Sequence, residues 1–421
     1  MLFAIPGFFI LMAIELLAAR LMRRQVYRLN DAINSIGLGV MSQVAGVFTK
    51  LLAIGIYAWV VQRVALFALP ANKAWVWISA LVLYDFCYYW LHRMGHEVNL
   101  LWAAHVVHHQ SERYNLSTAL RQTSSGALLG WVFYLPMALL GYPVEVFAVV
   151  AVIDLLYQYW IHTELVGKLG WFDRVFASPS NHRAHHAVND RYLDRNYGGI
   201  FILWDRMFGS FVDEDAVDKP VYGTRAPLRS WNPLWANAEV YWATAKDAWH
   251  ARRWRDKLLV WVMHPGWRPA DVAERFPKPA FNQQRAEFDP PIARPLALHG
   301  LAQFVLLLGM GVYFLQSAAR MPMLALIVYA LSLVASLGVL GALMEGRRRA
   351  RSFEAARLVL FGAVPAFTGL WLDGSGVPPA GRWACAGLAA ASLAMLLLAS
   401  RGEASAGKDE ALAMSSEGRR P

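Results

Sequence analysis

The stretch AWVWISALVLYDFCYYWLHRMGHEVNLLWAAHVVHH, residues 74–109, sets the terms for the whole chain. Its opening run, Ala74–Leu91, is apolar and close to the roughly 20 residues an α-helix needs to cross a bilayer. Five histidines follow: His92, His96, His105, His108 and His109. Ionisable groups beside hydrocarbon are costly and by default mark function. An apolar helix ending in a row of imidazoles therefore predicts a membrane protein with a chemical site at the bilayer surface.

Outward from this stretch the apolar character recurs. Of 421 residues 57% are hydrophobic and only 17% charged, below the ~25% usual for soluble domains, and the mean hydropathy is +0.32. Candidate spans are Leu2–Ala19, Ile36–Val61, Ala74–Leu91, Ala127–Leu140, Val144–Ile161, Leu296–Gln316, Met323–Met344, Phe353–Leu372 and Trp383–Ala399. The fourth and fifth meet at Gly141-Tyr142-Pro143, so a re-entrant hairpin fits as well as two crossings. The first run lacks a basic n-region and a small-residue cleavage site, and reads as an anchor. The expected fold is all-α, a polytopic membrane bundle of about nine spans.

Cations orient it. One loop carries Arg20, Arg23, Arg24 and Arg28, and another Arg347, Arg348, Arg349 and Arg351. With both in the cytoplasm, alternation of nine spans places 92–126, 162–295 and the C-terminus on the cytoplasmic face and the N-terminus outside. The same rule explains the net charge of +10. No compact basic fold stands apart from the apolar runs, so nucleic acid is not an expected partner. Cys87 and Cys385, far apart inside apolar runs, offer neither a disulfide framework nor a thiolate metal site.

The expected organisation is 1–73 as N-terminal anchor helices, 74–215 as the catalytic domain, 216–295 as a cytoplasmic interfacial segment, 296–400 as C-terminal transmembrane helices and 401–421 as a disordered tail. Trp231, Trp235, Trp242, Trp249, Trp254, Trp261 and Trp267 suit an interfacial position, although a packed core would use them equally well. The C-terminal spans show no clustered polar residues.

Nine of the twelve histidines fall between 92 and 186. They form His92-x3-His96, His105-x2-His108-His109 and His182-x2-His185-His186, with His162 between. On a helix, residues three or four apart share a face about 5–6 Å apart at Cβ, so each cluster can aim several ring nitrogens at one point. Any one of these histidines taken alone reads as a hydrogen-bonded surface group; three clusters at ligand spacing on one face read as metal ligands. Zinc takes four ligands at most, and the clusters contain no cysteine. Two ions with open positions use the whole set, and two irons activating dioxygen is the preferred reading. Neutral ligands leave such a pair strongly positive, so carboxylates are expected to hold the imidazole N–H groups. Asp85, two turns before His92, and Glu97, next to His96, are the candidate catalytic carboxylates. Glu97 reads equally as a solvated charge, and Asp154, eight positions before His162, as a hydrogen-bonded group in the bundle.

The clusters resemble the fatty acid hydroxylase/sterol desaturase superfamily of membrane di-iron oxygenases over roughly 75–215. The strings YDFCYYWLHRMGHEVNLLWAAHVVHHQSERYNLSTALRQ, QYWIHTELVG and SPSNHRAHHAVNDRYLDRNYGGIFILWDRMFGSF are similar to its alkylglycerol monooxygenase branch, as is HPGWRPADV at 264–272. The resemblance implies metal-ligand roles for His92, His96, His105, His108, His109, His182, His185 and His186, with His162 as a further ligand, and matches Glu97 to a carboxylate of the branch. It implies an oxygen-dependent lipid monooxygenase with two iron ions, a membrane lipid and dioxygen as partners, and an electron donor, tetrahydrobiopterin or a redox protein. Hydroxylation beside an ether oxygen would give a hemiacetal that collapses to an aldehyde and a glycerol hydroxyl. Tyr114, Asn115, Arg121 and Gln122 are candidates for the lipid head, or else lie on a helix surface. Alternatives are a sterol, fatty acyl or carotenoid hydroxylase or desaturase of the same superfamily and, in another class, a membrane metal carrier. His250, His264 and His299 lack partners at ligand spacing and read as structural.

Overall fold

The computed structural model describes residues 4–417, which form helices with no named strand among them. Two isolated antiparallel bridges, Phe176 with Phe201 and Leu370 with Gly376, are the extended pairings found there. The chain divides into two compact units, Met1–Arg229 with Trp235–Glu287, and Ser230–Leu234 with Phe288–Pro421.

In the first unit, α1 (Ile5–Leu21), α2 (Leu29–Arg63), α3 (Ala74–Glu97) and α4 (Val144–Trp160) make the apolar body. Along α3 the buried positions Val76, Ala80, Tyr84 and Cys87 recur at helical spacing, so one stripe faces the core. That stripe packs with Tyr57 and Val60 of α2, Met137 and Ala138, and Val146 and Val150 of α4. Ile78 and Val82 on α3 stay exposed, an arrangement that a lipid phase favours and water does not. The segment before α4 is broken into Gly126–Gly130, Trp131–Tyr134 and Leu135–Leu139. Gly141 then turns the chain at φ +86°, where an added Cβ would run into the Phe67 carbonyl. The Tyr57 hydroxyl donates to the Tyr142 carbonyl (3.1 Å) and ties this hairpin to α2. Beyond it lie α5 (Pro179–His185), α6 (Pro233–His250) and α7 (Trp254–Val262). Trp235, Trp242, Trp249 and Trp254 are exposed on α6 and α7, whereas Trp231 is buried.

The second unit contains α8 (Arg294–Ser317), α9 (Met323–Met344), α10 (Arg348–Thr368) and α11 (Pro379–Glu417). Its core contradicts the expectation of spans without clustered polar groups. His299 Nε2 lies 3.0 Å from Glu354 Oε1, and Arg357 donates to Glu354 Oε2 (2.8 Å) and Gln303 Oε1 (2.7 Å). Gln303 in turn donates to Ser392 Oγ (2.9 Å). The five residues come from three helices at separations up to about ninety positions, which no local pattern records.

Five helices are long and apolar enough to cross a membrane: Leu29–Thr49, Ala74–Glu97, Arg294–Arg320, Met323–Met344 and Pro379–Ala399. The other expected spans fall short by this measure. Helices α1 and α4 have 17 residues each, and 126–139 is short and broken. Helix α10 opens with Arg348, Arg349 and Arg351. Helix α11 continues to Glu417, into the stretch read as a disordered tail; 418–421 lie outside the described residues.

Candidate metal centre

Each histidine reaches the centre from an element suited to carry it. His92 and His96 lie one turn apart on the buried face of α3. A 3-10 turn, Val106–His109 with His105 at its head, carries the second cluster. Ser178 caps α5 by accepting from the Asn181 amide (3.4 Å), and Pro179 occupies the first turn, where a missing N–H costs nothing. Seven helical residues then suffice to set His182, His185 and the following His186 on one side. His162 follows the end of α4.

The rings sort into two groups, His92, His96, His105, His109 and His185 in one and His108, His162, His182 and His186 in the other. Within each, ligand-capable atoms lie within 4.8 Å of one another. The groups share a wall, since the His109 and His186 rings stack at 4.4 Å between centroids. The second and third sequence clusters are each divided, so that adjacent His108 and His109 serve opposite groups.

The donor set fits cations. The Nδ1 atoms of His92, His108, His162 and His185 stand 2.8, 3.0, 2.7 and 2.8 Å from the carbonyls of Tyr197, Arg121, Gln158 and Arg195. A carbonyl only accepts, so each Nδ1 carries the proton and each Nε2 presents a lone pair. Two of those lone pairs face each other, His108 Nε2 to His162 Nε2 at 3.1 Å, and the Nε2 atoms of His162 and His182, His182 and His186, and His105 and His109 lie 3.0, 3.2 and 3.1 Å apart. The Nε2 atoms of His92, His96 and His185 are buried with no hydrogen-bond partner. Facing lone pairs repel, and a cation between them removes the repulsion. Burial, with repulsion from neighbouring imidazoles, holds His105, His109, His162, His182, His185 and His186 well below the ordinary histidine range and His108 at about 4. Those seven rings are therefore neutral at pH 7, the form that binds metal.

A single loop supports three of the five histidines in the first group. Arg195 and Tyr197 offer their carbonyls to His185 and His92, and Asp194 Oδ1 lies 3.5 Å from His96 Nδ1. Burial opposes the charge on Asp194, yet His96 and His264 hold its carboxyl below the usual range. The loop is anchored on two further carboxylates. Buried Asp205 accepts from the Tyr197 and Gly198 amides (2.7 and 2.8 Å), and burial raises its carboxyl to about 6. Asp85 accepts from the Ile200 and Phe201 amides (2.6 and 3.0 Å) and from the Trp204 indole (2.8 Å). Gly199 passes so close that an added Cβ would lie 2.8 Å from Asp85 Oδ1 and 2.9 Å from Asp154 Oδ1.

The two candidate carboxylates meet partners other than imidazoles. Asp85 shares the helix with His92, but its oxygens meet the Ile200 and Phe201 amides and the Trp204 indole, a few residues along the chain from the Tyr197 carbonyl that meets His92. The Glu97 carboxylate accepts from Arg93 Nε (2.8 Å) at a partly exposed position. Asp194, in the loop beyond the third cluster and not among the candidates read from the sequence, is the carboxylate that approaches an imidazole of the two groups. The head-group candidates are revised too. Arg121 is fully buried, donating to the Val107 carbonyl (2.8 Å) and Asn34 Oδ1 (2.7 Å). The Tyr114 hydroxyl donates to the Ile161 carbonyl (3.0 Å), and Asn115 caps the turn Leu116–Ala119. Gln122 donates to the Ala119 carbonyl (3.0 Å).

An imidazole-lined double site at the end of an apolar helix defines the class, a membrane-bound metal oxidoreductase of the fatty acid hydroxylase kind. That family's model matches residues 77–210, which include all nine histidines. Over 363 residues the chain is 34% identical to the alkylglycerol monooxygenase of Homo sapiens, spanning 85% of this chain and 80% of the human protein. With the Danio rerio alkylglycerol monooxygenase it shares 37% over 339 residues, spanning 79% and 74% of the two. A shorter match, 30% over 138 residues, is to the ornithine lipid hydroxylase OlsE of Rhizobium tropici and spans 32% of this chain and 41% of that protein. No solved structure matches. The chain belongs to the alkylglycerol monooxygenase family, and with it to the oxygen-dependent oxidoreductases.

Proposed function

We propose that this protein is a di-iron monooxygenase that hydroxylates the carbon beside the ether oxygen of alkylglycerol lipids. The observation that carries the metal reading is the convergence of nine imidazoles in two adjoining groups, in each of which two rings have the Nδ1 proton fixed from outside and the Nε2 lone pair turned inward. Alkylglycerol as substrate is favoured by relatives that share most of their length with this chain. In this reading His92, His96, His105, His109 and His185 hold one iron, and His108, His162, His182 and His186 the other. Iron held there would supply the activation of dioxygen and the removal of hydrogen from an unactivated C–H bond.

The chain's own part is geometric. Carbonyls of Gln158, Arg121, Arg195 and Tyr197 keep the imidazoles in the ligating tautomer, and burial excludes water from them. Ligands at the ends of α3 and α4 leave the apolar helix bodies to take the alkyl tail, with the ether bond at the level of the rings. One dioxygen, two electrons and two protons give the hydroxylated carbon and one water; the hemiacetal then collapses to a fatty aldehyde and a free glycerol hydroxyl. The electrons come from tetrahydrobiopterin or a redox protein. Glu97 stays a candidate for a part in the reaction beside His96. The Arg-rich loops favour a cytoplasmic site and C-terminus, and nine passes, with the short helices completing the bundle.

The test is purified full-length protein in lipid nanodiscs, loaded anaerobically with ferrous iron and exposed to dioxygen. Alkylglycerol, sterol and fatty acyl substrates are offered with tetrahydrobiopterin or a ferredoxin, and lipid products are read by mass spectrometry. Aldehyde and glycerol in equal amounts are expected. Hydroxylation of another lipid with the ether lipid untouched overturns the substrate; bound metal without oxygen consumption under any donor points to a carrier.

A further inference from the structure

The stretch His264-Pro265-Gly266-Trp267 lies far beyond the histidine clusters in sequence, yet the fold brings it to the metal centre. The Met263 carbonyl accepts from the Asn99 amide (3.0 Å), two residues past the end of α3. The buried Asn99 side chain donates to the Val260 carbonyl (2.8 Å) and Thr244 Oγ1 (3.1 Å). Segment 260–263 is thereby lashed to the end of α3 that bears His96. Gly266, at φ +90°, makes the turn that brings the Trp267 amide back to the His264 carbonyl (3.0 Å).

From this platform His264 presents both ring nitrogens to oxygen acceptors, Nδ1 2.9 Å from the Pro265 carbonyl and Nε2 3.1 Å from Asp194 Oδ2, while Asp194 Oδ1 stands 3.5 Å from His96 Nδ1. Asp194 adopts φ +57°, the left-handed region that few non-glycine residues occupy. An aspartate held there needs outside support to keep its carboxylate aimed. Resting on the metal reading above, we propose that His264 holds Asp194 against His96 and is a positioning residue of the five-histidine group. His96 then differs from His92, His108, His162 and His185, whose Nδ1 partners are backbone carbonyls fixed by the fold. Its partner is a side chain with freedom to rotate, and His264 removes that freedom. The His264 side chain is 52% exposed, so replacing it opens no hole in the core.

The experiment measures release of each bound iron to a chelator from full-length protein, alongside thermal unfolding. Partners beyond the ligands are typically worth 10–100-fold in metal affinity. Asp194→Ala is expected to speed release of one ion by about that factor, and His264→Ala by a smaller factor, with the second ion unchanged in both. His264→Gln, whose amide can still donate to Asp194, should restore slow release, and His264→Ala added to Asp194→Ala should have no further effect. Equal release from parent and His264→Ala protein, acceleration of both ions together, or failure of the glutamine variant to rescue overturns the proposal. A parent protein that takes up no iron overturns the metal reading itself, which separates the two failures.

Discussion

Replacing Asp85 by Asn separates two readings of that residue, an acid or base at the metals and an anchor for the loop behind them. The carboxylate accepts from two backbone amides and an indole N–H (2.6, 3.0 and 2.8 Å) while fully buried. Asparagine keeps one oxygen, but its NH2 then faces donors. At least one buried N–H loses its acceptor, at about 1–3 kcal/mol, and the remaining bonds lose their ionic character, at about 1 kcal/mol more. A net cost of about 2–4 kcal/mol falls on the loop that offers Tyr197 to His92 and Arg195 to His185. The expected result is loss of iron from the five-histidine group, about 10–100-fold in affinity, with the other iron retained. Elemental analysis after gel filtration, with thermal unfolding of the same sample, reads this out. Full iron content and parental stability with turnover abolished would refute the anchoring argument and return Asp85 to a direct chemical part.

Other outcomes follow from the same geometry. Although His182 and His185 are one helical turn apart, His182→Ala should empty one metal position and His185→Ala the other, since they belong to different groups; magnetic or Mössbauer spectra of the two variants should differ, and identical spectra would contradict the grouping. Gly199→Ala forces a Cβ within 2.8–2.9 Å of Asp85 and Asp154, an overpacking worth about 1–3 kcal/mol that should appear as a lower unfolding temperature. Metal-free protein should be acid-labile. Burial holds His105, His109, His162, His182, His185 and His186 well below the 6.5 of the free side chain, and His108 at about 4. Above pH 6.5 folded and unfolded chains are both neutral there, so nothing changes; below it the unfolded chain takes up protons that the fold refuses. Stability then falls by about 1.4 kcal/mol per pH unit for each such ring until its folded value is reached. Unfolding midpoints at pH 7.5 and 5.5 check the sign, and bound iron should blunt the fall.

The helical character of the chain, its membrane class and all nine clustered histidines were legible in the sequence. These are local, periodic properties: an apolar run of span length and imidazoles at intervals of three and four register on any helix that forms. Tertiary structure alone decided which histidines face one another, because the division of His108 from His109, and of His185 from His182 and His186, depends on how four segments approach one another. It also decided that Asp85 secures a loop, that Asp194 and His264 stand behind His96, that Arg121 is buried and offers its own carbonyl to His108, and that His299, Gln303, Glu354, Arg357 and Ser392 join in one network. Apart from the i, i+3 pair Glu354–Arg357, each of these joins residues that no helical period relates. A carboxylate's chemistry is set by which donors the folded chain brings to it, and in Asp85 those donors lie more than a hundred residues away.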